Sequence, residues 1–196
     1  MMYKLFPSIV EKANVSINQK EFDTLKSFNR MIKSYGNYIS QDKYVLNHSE
    51  LVGFKKRLTN VVQKYHDKVY KPKHPVEIYI TQSWINLTRP GEYHHEHKHP
   101  NSYLSGVFYI DVSDGDGICL IDDRYFVIRI DSEEYDENNG SEWTIPVSNN
   151  DVVVFRSDLA HKVHTTSTGN NRVSLAFNTF FRGYVGDDET SSGLHL

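Results

Sequence analysis

Apolar residues recur at two different periods along this chain, and the change falls near residue 76. Before it, Phe22, Leu25, Phe28 and Ile32 repeat at helical spacing, as do Leu51, Phe54, Leu58, Val61 and Tyr65. Both stripes predict amphipathic helices laid against a core, with Asn47 and Glu50 as a capping pair opening the second. Pro72 and Pro75 then end the helical region. Beyond it, short apolar or alternating runs predict strands over residues 76–80, 104–110, 117–121, 125–130, 142–147, 151–155, 161–165 and 172–180. Turn chemistry separates them, as in Ser113-Asp114-Gly115-Asp116-Gly117 and Asn138-Asn139-Gly140. Many short strands at close spacing predict a sandwich, barrel or jelly roll. The chain thus divides into helical support over residues 1–75, a β core over 76–183 and a polar tail over 184–196. That tail is expected to be mobile or partner-binding.

Composition narrows the functional classes. A chain of 196 residues can bury the core of one ordinary domain. A formal charge of -3, with basic residues scattered, gives no footprint for nucleic acid or an anionic membrane. The single cysteine, Cys119, excludes an internal disulfide framework and a Cys-rich zinc module. The first residues lack the apolar stretch of a signal peptide, and nowhere do eighteen apolar residues run together. The expectation is a cytoplasmic protein. Acidic stretches at Asp122-Asp123 and 131–137 lack EF-hand spacing and read as solvated loops.

Chemistry concentrates in Tyr93-His94-His95-Glu96-His97-Lys98-His99-Pro100, where four of the ten histidines occupy six consecutive positions. Neutral imidazole is the commonest transition-metal ligand. In an extended segment residues two apart point the same way, so His95, His97 and His99 are expected on one face and His94 and Glu96 on the other. A third ligand must come from elsewhere, and His161, beside the turn after a core strand, is the candidate. His164 is expected to face away. Further on, Val173, Leu175 and Phe177 form an apolar face of one strand, while Arg172, Ser174 and Ala176 form a polar inner wall. A guanidinium beside a hydroxyl suits a carboxylate, which arginine binds bidentately.

Taken together, His97-Lys98-His99-Pro100-Asn101-Ser102, the strand Leu104-Ser105-Gly106-Val107-Phe108-Tyr109-Ile110, His161 and Arg172-Val173-Ser174 resemble the iron(II)- and 2-oxoglutarate-dependent oxygenases. In particular they are similar to a group found in bacteria and tailed phages, with H-x-H-P and S-G-V-x-Y-I signatures. The run Phe155-x-Ser157-x-Leu159-x-His161-x-Val163 and the segment Phe177-Asn178-Thr179-Phe180 also fit that group. The resemblance covers residues 76–183.

That resemblance implies a double-stranded β-helix, a cupin-like jelly roll whose mouth holds iron(II). His97, His99 and His161 would be the metal ligands and carry catalysis. Arg172 would bind the distal carboxylate of 2-oxoglutarate, with Ser174, Tyr109 and Asn86 lining the cosubstrate pocket. The family couples decarboxylation of 2-oxoglutarate to succinate with hydroxylation of a substrate C–H bond by an iron(IV)-oxo species, O2 being cosubstrate. If the chain is phage-encoded, its place is the host cytoplasm. A homodimer is compatible with all of this. One departure stands out: relatives place a carboxylate where this chain has His99, and His94-His95-Glu96 offers H-x-E as an alternative register. Two other readings stay open, a three-histidine cupin-type dioxygenase without 2-oxoglutarate and a non-catalytic jelly-roll binding or structural protein.

Overall fold

The computed structural model describes residues 3, 5–124, 131–165, 169–187 and 189–196. The strand expected over residues 125–130 lies outside them. In chain order the elements are β1 (Glu11–Asn14), α1 (Gln19–Lys26), β2 (Met31–Lys33), β3 (Tyr38–Ser40), α2 (Val52–Tyr70), β4 (Val76–Thr88), β5 (His94–His97), β6 (Leu104–Asp111), β7 (Gly117–Ile121), β8 (Glu142–Pro146), β9 (Asp151–Arg156), β10 (His161–Val163), β11 (Arg172–Val185) and β12 (Leu194–His195). Two strand layers result. The larger runs in the order β1-β9-β6-β11-β4-β3-β2, with β12 attached to β11, and the smaller runs β5-β10-β7-β8. Every pairing between these strands is antiparallel. Two antiparallel layers, with the chain passing repeatedly from one to the other, make the jelly-roll architecture that the strand pattern predicts.

The larger sheet is buried on both faces, which explains its long apolar runs. On β9, Val152 and Val154 face α2, while Val153 and Phe155 face the smaller sheet. On the outer side, Phe54, Leu58, Val62 and Tyr65 of α2 pack with Phe108, Leu175 and Phe177. Spacings of four, four and three residues along α2 hold this stripe on one face. The α2 end follows from its sequence: Lys71 caps it at φ +46°, and Pro72 cannot continue the helix. Between the sheets, Tyr109, Ile118, Leu120, Val147, Val153 and Phe155 form a second apolar cluster. The site described below opens from that interior.

Three features differ from the sequence expectation. The N-terminal third is not helical alone, because β1, β2 and β3 extend the larger sheet. Phe28 and Ile32 lie beyond the C-terminus of α1, and Ile32 belongs to β2. These strands are three or four residues long and lie at or next to the sheet edges, half exposed, so they carry no strong alternation. The capping pair also sits elsewhere. Asn18 and Glu21 form a reciprocal capping box on α1, with Glu21 N–H donating to Asn18 Oδ1 at 2.9 Å. Asn47 instead accepts from Lys55 Nζ, and α2 opens without a side-chain cap. Last, the polar tail turns back, and β12 pairs with Tyr184 and Val185. Among the described residues no helix is long and apolar enough to cross a membrane.

Candidate metal centre and cosubstrate pocket

Three histidines from separate chain positions meet at one end of the smaller sheet. Register places His161, the first residue of β10, directly opposite His97, the last of β5. His99 follows two residues later, its N–H donating to Ser157 O at 2.9 Å. The available nitrogens of His97, His99 and His161 all lie within 4.8 Å of one another. His99 Nε2 and His161 Nε2 are 3.1 Å apart, and their rings stack at 3°. The His97 and His161 rings are 4.2 Å apart.

The orientation of these rings is set from behind. His97 Nδ1 lies 2.8 Å from His95 O, and His161 Nδ1 lies 3.0 Å from Leu159 O. A backbone carbonyl accepts only from N–H, so both rings carry the proton on Nδ1 and leave the Nε2 lone pair free. His99 stacks on Trp84 with centroids 5.7 Å apart. The Asn178 side chain hydrogen-bonds to it. Asn178 in turn accepts from Ser105, which lies 2.8 Å from Ser157, and Ser157 donates to Ser102. This buried serine–asparagine chain ties the segment after β5 to β6, β9 and β11. The sequence motifs include Ser102, Ser105, Ser157 and Asn178 but give them no role at the site, and they do not include Trp84. Trp84 was accessible from alternation, since it lies two positions from Asn86 on β4.

His94 is a correction. Alternation put it opposite His97, yet His97 pairs with His161 while His94 pairs with Val163, three residues against two. The extra residue is a β-bulge, which restores i and i+3 to one face. The His94 ring therefore stacks on His97, with centroids 4.5 Å apart and planes at 14°. Its Nδ1 lies 3.4 Å from the Asn37 amide nitrogen. His94, His95 and His97 form a second group with donor atoms within the same limit. Glu96, the carboxylate of the alternative H-x-E register, is exposed and joins neither group. His164 is exposed and faces Glu142.

Electrostatics keep these imidazoles neutral. Burial, reinforced by the neighbouring rings, pulls His161 down to about 2, His94 to about 3 and His99 to about 4, and burial also lowers His97. Neutral rings are the metal-binding form. The depressed folded-state values mean that the unfolded chain binds more protons below the ordinary histidine value of about 6.5. Stability is therefore fully present above that value and drains away as pH falls through it. For metal-free protein we expect the urea midpoint to drop steeply between pH 7 and pH 5, the unfolding free energy falling with a limiting slope of about 1.4 kcal/mol per pH unit for each such histidine. A midpoint that stays flat over this window would show that the cluster is not buried.

The second part of the site lies on the inner face of the larger sheet. Ser174 on β11 pairs with Asn86 on β4 and with Tyr109 on β6, so the three form one transverse row. Arg172, two residues from Ser174, shares that face. All four are buried. Arg172 Nη1 donates to Asp116 Oδ1 at 3.0 Å, and Asp116 Oδ2 accepts from Ser113 N–H. Burial works against the arginine charge and Asp116 offsets it. Arg172 Nη2 and Asn86 Oδ1 are buried and have no hydrogen-bond partner among the described residues. Unmade bonds of this kind are costly, and a carboxylate is the kind of group that pairs with a guanidinium. Asp116 looked like a turn residue in Ser113-Asp114-Gly115-Asp116-Gly117, and nothing in the sequence marked it as the arginine's partner.

Comparison with known proteins bears on the family and the fold. Residues 82–178 match the family model described as "Putative 2OG-Fe(II) oxygenase". No curated protein matches by sequence. Among solved structures, the fold is similar to an oxidoreductase of the 2OG-Fe(II) oxygenase family from Burkholderia pseudomallei, at TM-score 0.60 and 14% identity over 89% of this chain and 84% of that one. It is also similar to HygX from Streptomyces hygroscopicus, crystallised with nickel, 2-oxoglutarate and hygromycin B, at TM-score 0.57 and 13% identity over 88% and 82%. A Pseudomonas putida prolyl-4-hydroxylase gives TM-score 0.55 and 13% identity over 89% and 92%.

Proposed function

We propose that this chain, whose residues 82–178 belong to the 2OG-Fe(II) oxygenase family, is a hydroxylase that holds iron(II) with His97, His99 and His161 and 2-oxoglutarate with Arg172. The enzyme class and its two cofactors follow from the family; the residue roles and the hydroxylation are our reading. When bound, iron(II) with 2-oxoglutarate and O2 supplies the oxidising power, giving succinate, CO2 and a hydroxylated product.

The residues divide the work. His97 and His161 present Nε2 from rings fixed by carbonyls behind them. His99 is held by Trp84 and Asn178. Arg172, aimed by Asp116, takes the distal carboxylate, and Ser174, Tyr109 and Asn86 flank it. Burial pushes the Tyr109 phenol up, so it stays a neutral donor. The apolar cluster of Ile118, Leu120, Val153 and Phe155 excludes water from the interior. Three neutral ligands leave one more positive charge on the metal unit than two histidines and a carboxylate would.

The observation that carries the reading is the buried Arg172 Nη2, which has no hydrogen-bond partner among the described residues. A three-histidine dioxygenase that needs no 2-oxoglutarate has no use for it. The test is anaerobic addition of 2-oxoglutarate to protein loaded with iron(II). A visible metal-to-ligand charge-transfer band is expected, followed by succinate on admitting O2. Absence of the band in folded, iron-loaded protein would overturn the reading.

A further inference from the structure

We propose a second metal site, for zinc(II), on the outer face of the smaller sheet, with Cys119, Glu142 and His164 as ligands. The donor atoms of these three residues lie within 4.8 Å of one another. They come from β7, from the first residue of β8 and from the position just after β10, so the sheet itself brings them together. Cys119 pairs with Lys162 on one side and with Thr144 on the other. Neighbouring residues of a strand face opposite ways, so Lys162 and this group lie behind the sheet from His161. The site is separate from the centre described above and shares no ligand with it.

The geometry favours a metal over a plain polar contact. His164 Nε2 and Glu142 Oε1 are 3.8 Å apart, too far for a good hydrogen bond. Two ligands at roughly 2.0–2.2 Å from a tetrahedral ion stand about 3.4 Å apart, so a small movement of two exposed side chains completes the pair. Cys119 is fully buried beneath them, and its thiol already hydrogen-bonds to Glu142 and Thr144, which places the sulfur against the carboxylate. Lys162 Nζ donates to Glu142 Oε2, while Oε1 is the oxygen that faces His164. One thiolate, one imidazole and one carboxylate form a borderline-soft set that suits zinc and disfavours calcium or magnesium. Such an ion would clamp β8, which resumes after residues 122–141, to the strand that carries His161.

Cobalt(II) serves as the probe, because a thiolate ligand gives it an intense near-ultraviolet charge-transfer absorption. Purified metal-free protein is expected to show that band at one equivalent per chain, with zinc(II) displacing it. The band should vanish in Cys119→Ser and weaken at least tenfold in affinity in His164→Ala. It should persist in the His97→Ala/His161→Ala double variant. Cys119→Ser should keep the iron(II)–2-oxoglutarate band, which separates this site from the iron site and serves as the folding control. The proposal fails if no thiolate band forms, if His164→Ala and Glu142→Gln bind cobalt as the wild type does, or if the band disappears with His97 and His161.

Discussion

Exchanging His161 for alanine is expected to abolish the anaerobic iron(II)–2-oxoglutarate band and all succinate formation. His161 is 3% exposed, shares its Nε2 region with His99 and takes orientation from Leu159 O. Among the described residues no carboxylate joins the three histidines to replace it, and Glu96 is exposed. Two imidazoles then remain, and the metal site loses a third of its donor set. The same change should make metal-free protein more resistant to acid, because it removes the histidine most strongly held neutral, at about 2. A histidine with a packing role alone would move neither the absorption band nor iron stoichiometry. His99→Ala should behave like His161→Ala, whereas His99→Asp should keep iron and 2-oxoglutarate and shift the band. His94→Ala decides between the two histidine groups that share His97. If it erased the band while His161→Ala kept it, the metal would belong to His94, His95 and His97, and our assignment would be wrong.

The contrast between His94 and His161 shows what one sequence reveals. Strand alternation correctly divided β11, with Leu175 and Phe177 in the outer core and Arg172 and Ser174 facing inward. It also separated His161 from His164, because side chains on a short regular strand follow a fixed period. The same rule failed at β5, where a single extra residue in the ladder turned His94 inward. A bulge is a property of the pair of strands, not of either sequence alone. Asp116 was hidden for a related reason. Its partner Arg172 is 56 positions away, and each looked ordinary in its own turn or strand. The N-terminal edge strands were unreadable because Glu11-Lys12-Ala13-Asn14 has no apolar face, and its strand state comes from pairing with β9. Local patterns thus located the elements and most of the site, while cross-strand pairing decided its last members.

The second large effect should come from Arg172→Met. With its head group gone, 2-oxoglutarate affinity is expected to fall about 100- to 1000-fold, in line with the roughly 2–5 kcal/mol lost when one partner of a buried charge pair is removed. Iron(II) binding without 2-oxoglutarate should be unchanged, since Arg172 contributes no metal donor. The substitution also strands Asp116, whose carboxylate keeps the Ser113 N–H on Oδ2 and loses the guanidinium on Oδ1. An uncompensated buried carboxylate costs about 3–5 kcal/mol, so the single variant will be destabilised as well as weak-binding. The double variant Arg172→Met/Asp116→Asn separates the two consequences by removing both charges. It should regain much of the stability in urea titration and none of the 2-oxoglutarate affinity. Asp116→Asn alone should weaken 2-oxoglutarate less, because the asparagine carbonyl still accepts from Nη1 while the charge that steadies the guanidinium is lost. If the double variant bound 2-oxoglutarate as the wild type does, Arg172 would be a structural ion pair, and the three-histidine dioxygenase independent of 2-oxoglutarate would become the better reading.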